Sequence, residues 1–331
     1  MLIVTAEPSG DVLATGLAAT LSDLRVACAT GGPIPGTESV RVPRPASVMG
    51  LLDAVRALRQ TRRALRQLAA WVQDRRPRLL VTVDGPSFTL RLSRALRPMP
   101  SIHVVAPQVW AWRPGRVDRL AQATDAVLCL LPFEPAWFAG RMRAVFVGHP
   151  AVDLAPEPTG PRPAWALLPG SRPAEVRRLG PTLREVARRL EVVDPTAGLL
   201  TVRAPGAPSL DVPNLQTVDR IEQLAGVRGA VAASGTVSLQ LAALAVPQVV
   251  VARTDPWTWA VGREVVRTPW VALPNVLAGR CVVSEHVQHL DPAAIVRDLL
   301  HARAVPLPEL HGAEAYGRMA AEIRARLRVA P

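Results

Sequence analysis

The chain has 331 residues, enough for two ordinary domains, and 49% of them are apolar, which excludes a disordered or fibrous protein. All of its basic residues are arginine, and the formal net charge of +12 points to an anionic partner: nucleic acid, a nucleotide-sugar or an acidic membrane surface. Cys28, Cys129 and Cys281 are odd in number and far apart, which argues against a disulfide framework or a zinc site and for the cytoplasm.

The first residues, Leu-Ile-Val-Thr-Ala, read as a strand, with Glu7, Pro8, Ser9, Gly10 and Asp11 as the turn and a helix over 12–21. The acidic residues arrive too early for a signal peptide. This is a Rossmann-like opening without the glycine fingerprint of dinucleotide sites. A long amphipathic segment runs from Ser47 to Trp71, with Met49, Leu51, Leu52 and Val55 in its apolar first half and Arg56, Arg59, Arg62, Arg63 and Arg66 following at helical spacing. It reads either as a helix lying on a membrane or as a domain helix with a solvated arginine face.

A strand over 79–83 runs into Asp84, with a helix from about Thr89. A carboxylate at the end of a parallel strand sits where open α/β sheets place their ligands, although a capping aspartate reads the same way. The strand over 102–105 is followed by a basic loop with Trp110, Trp112 and Arg113, whose indoles either stack on a ligand or plug a domain edge. Further strands over 126–131 and 144–147 complete this half, which closes on His149, a single histidine without a second metal ligand nearby.

The clearest boundary lies at 151–163, a run holding Pro156, Pro158 and Pro161 with little to bury. A first domain over 1–150 and a second over 164–331 are expected, with the last helix free to return to the first. The second half restarts an α/β unit, with strands over 165–168, 199–203, 230–233 and 248–251 and helices near 174–191, 220–226 and 237–245.

Two turns in this half read as anion sites. The first is Gly170-Ser171-Arg172, where a helix opened by Ser171 directs unpaired N–H groups and the positive end of its dipole at the turn, beside the Arg172 guanidinium. The second is Ser234-Gly235-Thr236, whose small residues leave backbone N–H groups open to a phosphate. Each alone reads equally as an ordinary strand-to-helix turn. Together they suit a diphosphate, which needs several converging donors.

The sequence resembles the lipid-A-disaccharide synthase family. The resemblance rests on Glu7-x-Ser9-Gly10-Asp11, Gly31-Gly32-Pro33, Ser47-Val48-Met49-Gly50, Asp84-x-Pro86-x-Phe88, Val109-Trp110-Ala111-Trp112-Arg113, Leu131-Pro132-Phe133-Glu134, Val147-Gly148-His149-Pro150, Leu168-Pro169-Gly170-Ser171-Arg172, Ala233-Ser234-Gly235-Thr236 and Leu273-Pro274-Asn275-x-Leu277-Ala278-Gly279-Arg280. Their order and spacing run through nearly the whole chain. The resemblance implies a GT-B fold, two Rossmann-like domains facing a cleft, and an inverting transfer from a UDP-diacylglucosamine donor to the 6-hydroxyl of diacylglucosamine 1-phosphate. It implies no metal and no cofactor, with positive groups and helix N-termini stabilising the leaving diphosphate.

Under this resemblance Asp84 and Arg172 are the expected catalytic pair. Gly170, Ser171, Arg172, Ser234, Gly235, Thr236, Gln240, Asn275 and Arg280 are expected to hold UDP. Glu7, Ser9, Gly10, Asp11, Trp110, Trp112, Arg113 and His149 are expected around the acceptor, and Met49, Leu51, Leu52 and Val55 at the membrane. The implied partners are a UDP-linked acylated amino sugar, an acylated glucosamine phosphate and the cytoplasmic face of the inner membrane, with no nucleic acid and with a homodimer left open. Two departures keep a related enzyme with another lipid or sugar acceptor in view: Ser87 where the family usually has a second carboxylate, and Gln240 where it usually has Glu. A non-catalytic nucleotide-sugar binder is the remaining alternative.

Overall fold

The computed structural model describes residues 1–43, 51–111, 115–154, 162–203, 208–255, 259 and 266–329, without the side chains of 51–57 and 162. Contacts divide the chain into two units, Met1–Pro150 with Ala313–Pro331, and Ala151–Gly312.

Unit 1 is built on β1 (Leu2–Thr5), β2 (Ala27–Ala29), β3 (Glu38–Ser39), β4 (Leu80–Val83), β5 (Ser101–Val104), β6 (Ala126–Cys129) and β7 (Arg143–Phe146). All are parallel, in the order β3-β2-β1-β4-β5-β6-β7. Strands covered on both faces are largely apolar, and β1, β4 and β6 are buried along their whole length. Helix α1 (Pro8–Thr20) packs on one face with the C-terminal helix, while α2 (Leu51–Arg75) and α3 (Pro86–Ala95) cover the other, and α4 (Arg116–Ala123) lies between β5 and β6 in the chain.

Both α1 and α3 begin earlier than the sequence suggests, because Pro8 and Pro86 serve as first-turn prolines rather than as turn residues. Ser9, Gly10 and Asp11 therefore belong to the first turn of α1. In α2, Thr61, Ala64 and Leu68 are buried at helical spacing, while Arg59, Arg62, Arg63 and Arg66 are exposed, so this part of the helix packs on its own sheet.

Unit 2 holds β8 (Arg162–Leu168), β9 (Gly198–Val202), β10 (Leu215–Val218), β11 (Val227–Ala233), β12 (Gln248–Ala252) and β13 (Ser284–Val287), again all parallel, in the order β10-β9-β8-β11-β12-β13. Helix α5 (Pro173–Val193) and α8 (Pro292–His301) pack on one face; α6 (Thr236–Ala243) covers the other, and the short α7 (Leu273–Ala278) precedes β13. The stretch expected as a helix near 220–226 is a single 3-10 turn, Ile221–Leu224.

The last helix, α9 (Ala315–Val329), packs in unit 1, where Ala315, Met319, Ala320 and Ile323 are buried with α1. The Tyr316 ring lies so close to Gly16 of α1 that a Cβ there would collide with it. Arg324 adds an ion pair to Asp23 at 2.7 Å, and Arg326 one to Asp125 at 2.9 Å.

Candidate active site

Each sheet reverses its winding once, between β1 and β4 in unit 1 and between β8 and β11 in unit 2. At such a point the loops leave the strand ends in opposite directions and open a crevice, the usual ligand place of a doubly wound sheet. The turns after β1, β4, β8 and β11 are those carrying Glu7 to Asp11, Asp84, Gly170 to Arg172, and Ser234 to Thr236.

In unit 1 the reversal joins two turns directly. Ser9 Oγ, on the first turn of α1, donates to Asp84 Oδ2 at 3.0 Å, and the Gly85 amide donates to Asp84 Oδ1 at 2.7 Å. Asp84 itself has φ +54°, a left-handed conformation that aspartate tolerates better than most residues and that is concentrated at functional sites. Its amide donates to Val104 O and its carbonyl accepts from Thr89 Oγ1, so the backbone is pinned on both sides.

Other unit 1 candidates have structural duties. Asp11 accepts from Thr5 Oγ1 and from the Gly31 amide, tying β1 to the loop after β2. Gly10 is buried where a side chain would press on Val83 O and Thr5, and Glu7 is the extended residue before α1.

Trp110 corrects an expectation. It is buried, packs edge-on against Phe133 with ring centres 5.3 Å apart, and donates its Nε1–H to Glu134 Oε1 at 3.3 Å, so it belongs to the core and not to a stacking surface. His149 is likewise buried, and desolvation lowers its pKa to about 4, which removes it as a cation at neutral pH. Trp112, Arg113 and Met49 lie outside the described residues. Leu51, Leu52 and Val55 lie on α2, with side chains outside the description.

In unit 2 the chain leaves β8 through Gly170 at φ +96°, a backbone conformation that favours glycine, and a Cβ there would displace the Glu175 side chain. The residue before α5 is Arg172 rather than Ser171, with Pro173 first in the helix. Glu175 reaches back to the Arg172 amide at 3.2 Å, a half capping box. The Arg172 side chain is 69% exposed, with Nη1 3.7 Å from Glu175 Oε1. The amides of Gly170 and Ser171 take no partner among the described residues, nor do those of Gly235 and Thr236 before α6. Gln240 is half-buried one turn along α6.

Two candidates in this unit are reassigned. Ser234 uses its amide on Val251 O and its hydroxyl on Val271 O at 2.7 Å, leaving the turn's open donors to its two neighbours. Asn275 is fully buried and spends its whole amide inside: Oδ1 accepts from Val282 and Val283 N–H, and Nδ2 donates to Val283 O and Glu285 Oε1. It cannot also face a phosphate. Arg280, just beyond α7, is exposed.

Three acids escaped the sequence reading. Glu175 follows Arg172 at capping-box spacing, a signal that was present. Glu134, in Leu131-Pro132-Phe133-Glu134, is a buried acceptor for the Leu130 and Leu131 amides and Trp110; burial raises its pKa to about 7. Glu285, in the mixed stretch Ser-Glu-His-Val, carried no local signal at all.

Two parallel doubly wound sheets, each with candidate ligand turns at its winding reversal, define a fold of GT-B type. Similar solved structures share that fold: the calicheamicin glycosyltransferase CalG4 at TM-score 0.60 and 18% identity, covering 100% of this chain and 99% of that one, and MurG of Acinetobacter baumannii at TM-score 0.53 and 12% identity, covering 98% and 99%. The family model described as lipid-A-disaccharide synthetase matches residues 1–294, and the lipid-A-disaccharide synthase of Anaeromyxobacter sp. (strain K) is 35% identical over 324 residues, 87% of this chain and 83% of the relative. The chain belongs to the lipid-A-disaccharide synthase family, and is thus a UDP-sugar glycosyltransferase of lipid A synthesis.

Proposed function

We propose that the protein transfers an acylated glucosamine from UDP to the 6-hydroxyl of an acylated glucosamine 1-phosphate, with unit 1 serving the acceptor and unit 2 the nucleotide. The observation that carries the reading is the fixed carboxylate of Asp84, held on both oxygens by Ser9 and Gly85 at a winding reversal. An inverting transfer needs a base that takes the hydroxyl proton as the oxygen attacks, and a carboxylate with a set orientation and remaining lone pairs suits that task.

The leaving diphosphate gathers negative charge. The open amides of Gly170, Ser171, Gly235 and Thr236, the N-terminal ends of α5 and α6, and the Arg172 guanidinium supply the compensating donors, with Gln240 for the ribose and Arg280 for a phosphate. No helix among the described residues is long and apolar enough to cross a membrane. In this reading the enzyme meets its lipid substrates peripherally, on the cytoplasmic face of the inner membrane, through the start of α2, with exposed Arg59, Arg62, Arg63 and Arg66 toward anionic head groups.

The test is Asp84→Asn. The amide keeps the shape but cannot take a proton, so kcat with a diacylglucosamine phosphate acceptor should fall by ~10²–10⁴ while UDP affinity holds. Near-normal turnover would remove Asp84 as the base, and a parallel loss of UDP binding would make it a structural residue.

A further inference from the structure

Unit 2 holds a carboxylate on β13 whose hydrogen bonds lead step by step to the second phosphate turn. Glu285 Oε1 accepts from the Ala272 amide at 2.8 Å and from Asn275 Nδ2 at 2.7 Å, and Oε2 accepts from the Val271 amide at 3.0 Å. Asn275 passes the grip to the far end of the same segment through Val282 and Val283 at 2.7 and 2.8 Å. The Val271 carbonyl then receives the Ser234 hydroxyl at 2.7 Å. A strand, the segment 271–283 and the turn after β11 are thereby tied into one block, which also carries Arg280.

We propose that Glu285 is a positioning residue for the donor: it fixes segment 271–283, and through Ser234 it fixes the direction in which the Gly235 and Thr236 amides point. This rests on the reading of that turn as a diphosphate site and gives Ser234 and Asn275 a role there through their hydrogen bonds rather than through contact with a ligand.

The chemistry calls for a carboxylate. All the groups that meet Glu285 here are N–H donors, and they divide over both oxygens. A carboxylate offers acceptors on both oxygens, which an amide does not, and hydrogen bonds to it are of the stronger kind. A glutamine must turn its NH₂ toward one of those donors, which pushes the segment away and lets the Ser234 tie drift.

Three measurements test this. Calorimetry of UDP with Glu285→Gln should show about tenfold weaker binding, the equivalent of one ordinary hydrogen bond misplaced at the site. Ser234→Ala should weaken UDP in the same direction, and the double variant should be no weaker than the poorer single one, because both act through Val271. In turnover the donor KM should rise while the acceptor KM and kcat hold. Hydrogen exchange on the unaltered protein should show slower exchange across 271–283 when UDP saturates it, a readout that stands even where Glu285→Gln fails to fold. Additive losses, or UDP protection confined to 170–172 and 235–236 with 271–283 unchanged, overturn the positioning role and leave the diphosphate reading intact. Absence of UDP binding, with no protection at either turn, overturns both.

Discussion

Asp84 and Arg172 are handled oppositely by their surroundings. The carboxylate is gripped on both oxygens, whereas the guanidinium is 69% exposed beside Glu175. A base gains from a fixed direction, because proton transfer depends on geometry; a phosphate clamp loses little by closing only when the anion arrives. The exposed pair with Glu175 is screened by solvent and is a weak competitor for the guanidinium. Arg172→Ala should therefore weaken UDP by on the order of 1.5–3 kcal/mol, the range of a hydrogen bond to a charged group, with the fold unaffected. Calorimetry decides it, and equal affinities in the two proteins would take Arg172 out of the site.

At the scale of elements, α2 is divided along its length. From Thr61 onward it buries Ala64 and Leu68 in the sheet, while in the proposed function its first turns meet the membrane. Two variants separate these duties. Serine at Leu51, Leu52 and Val55 together should reduce binding to anionic liposomes and leave thermal unfolding in place, since those side chains would face lipid. Leu68→Ala should do the reverse, costing about 2–5 kcal/mol of stability as a core truncation while liposome binding persists. A large drop in melting temperature for the triple variant would return the whole helix to the core.

For the whole molecule, His103, His149 and Glu134 are the described buried groups of unit 1 whose pKa shifts bear on stability between pH 4 and 7. Burial lowers the pKa of His103 and His149 to about 4 from 6.5, so their contribution is full above pH 6.5 and is lost as the pH falls through 4. Glu134 has the opposite sign. Its pKa is raised from 4.5 to about 7, so its contribution is full below 4.5 and is lost as the pH rises through 7. Between pH 5 and 6 two imidazoles oppose one carboxyl, and the unfolding free energy should rise by about 1.4 kcal/mol per pH unit. Glu134→Gln removes the opposing group and should roughly double that slope in urea titrations. An unchanged slope would mean that Glu134 ionises in the fold much as it does in the unfolded chain.

What could be read from the residues alone was local. The strands β1, β4, β8 and β12 are short, largely apolar runs with Gly, Pro or Asp within three residues of their ends, and each such run signals itself without help from neighbours. The turns that follow them carry their chemistry in sequence, which is why Asp84, Gly170, Arg172 and Gly235 could be singled out. Edge and outer strands were missed: Glu38–Ser39, Leu215–Val218 and Ser284–Val287 are short or polar, and are strands only because a neighbour pairs with them. The same limit governed the site. Trp110, Ser234 and Asn275 have residue types that suit a ligand, but Glu134, Val271 and Glu285, 10 to 37 residues away, claim their polar atoms first. Sequence alone settled which groups stand at the strand ends; only the tertiary structure decided which of them still have a free donor or acceptor, because each polar atom's partner is set by whatever the fold packs beside it.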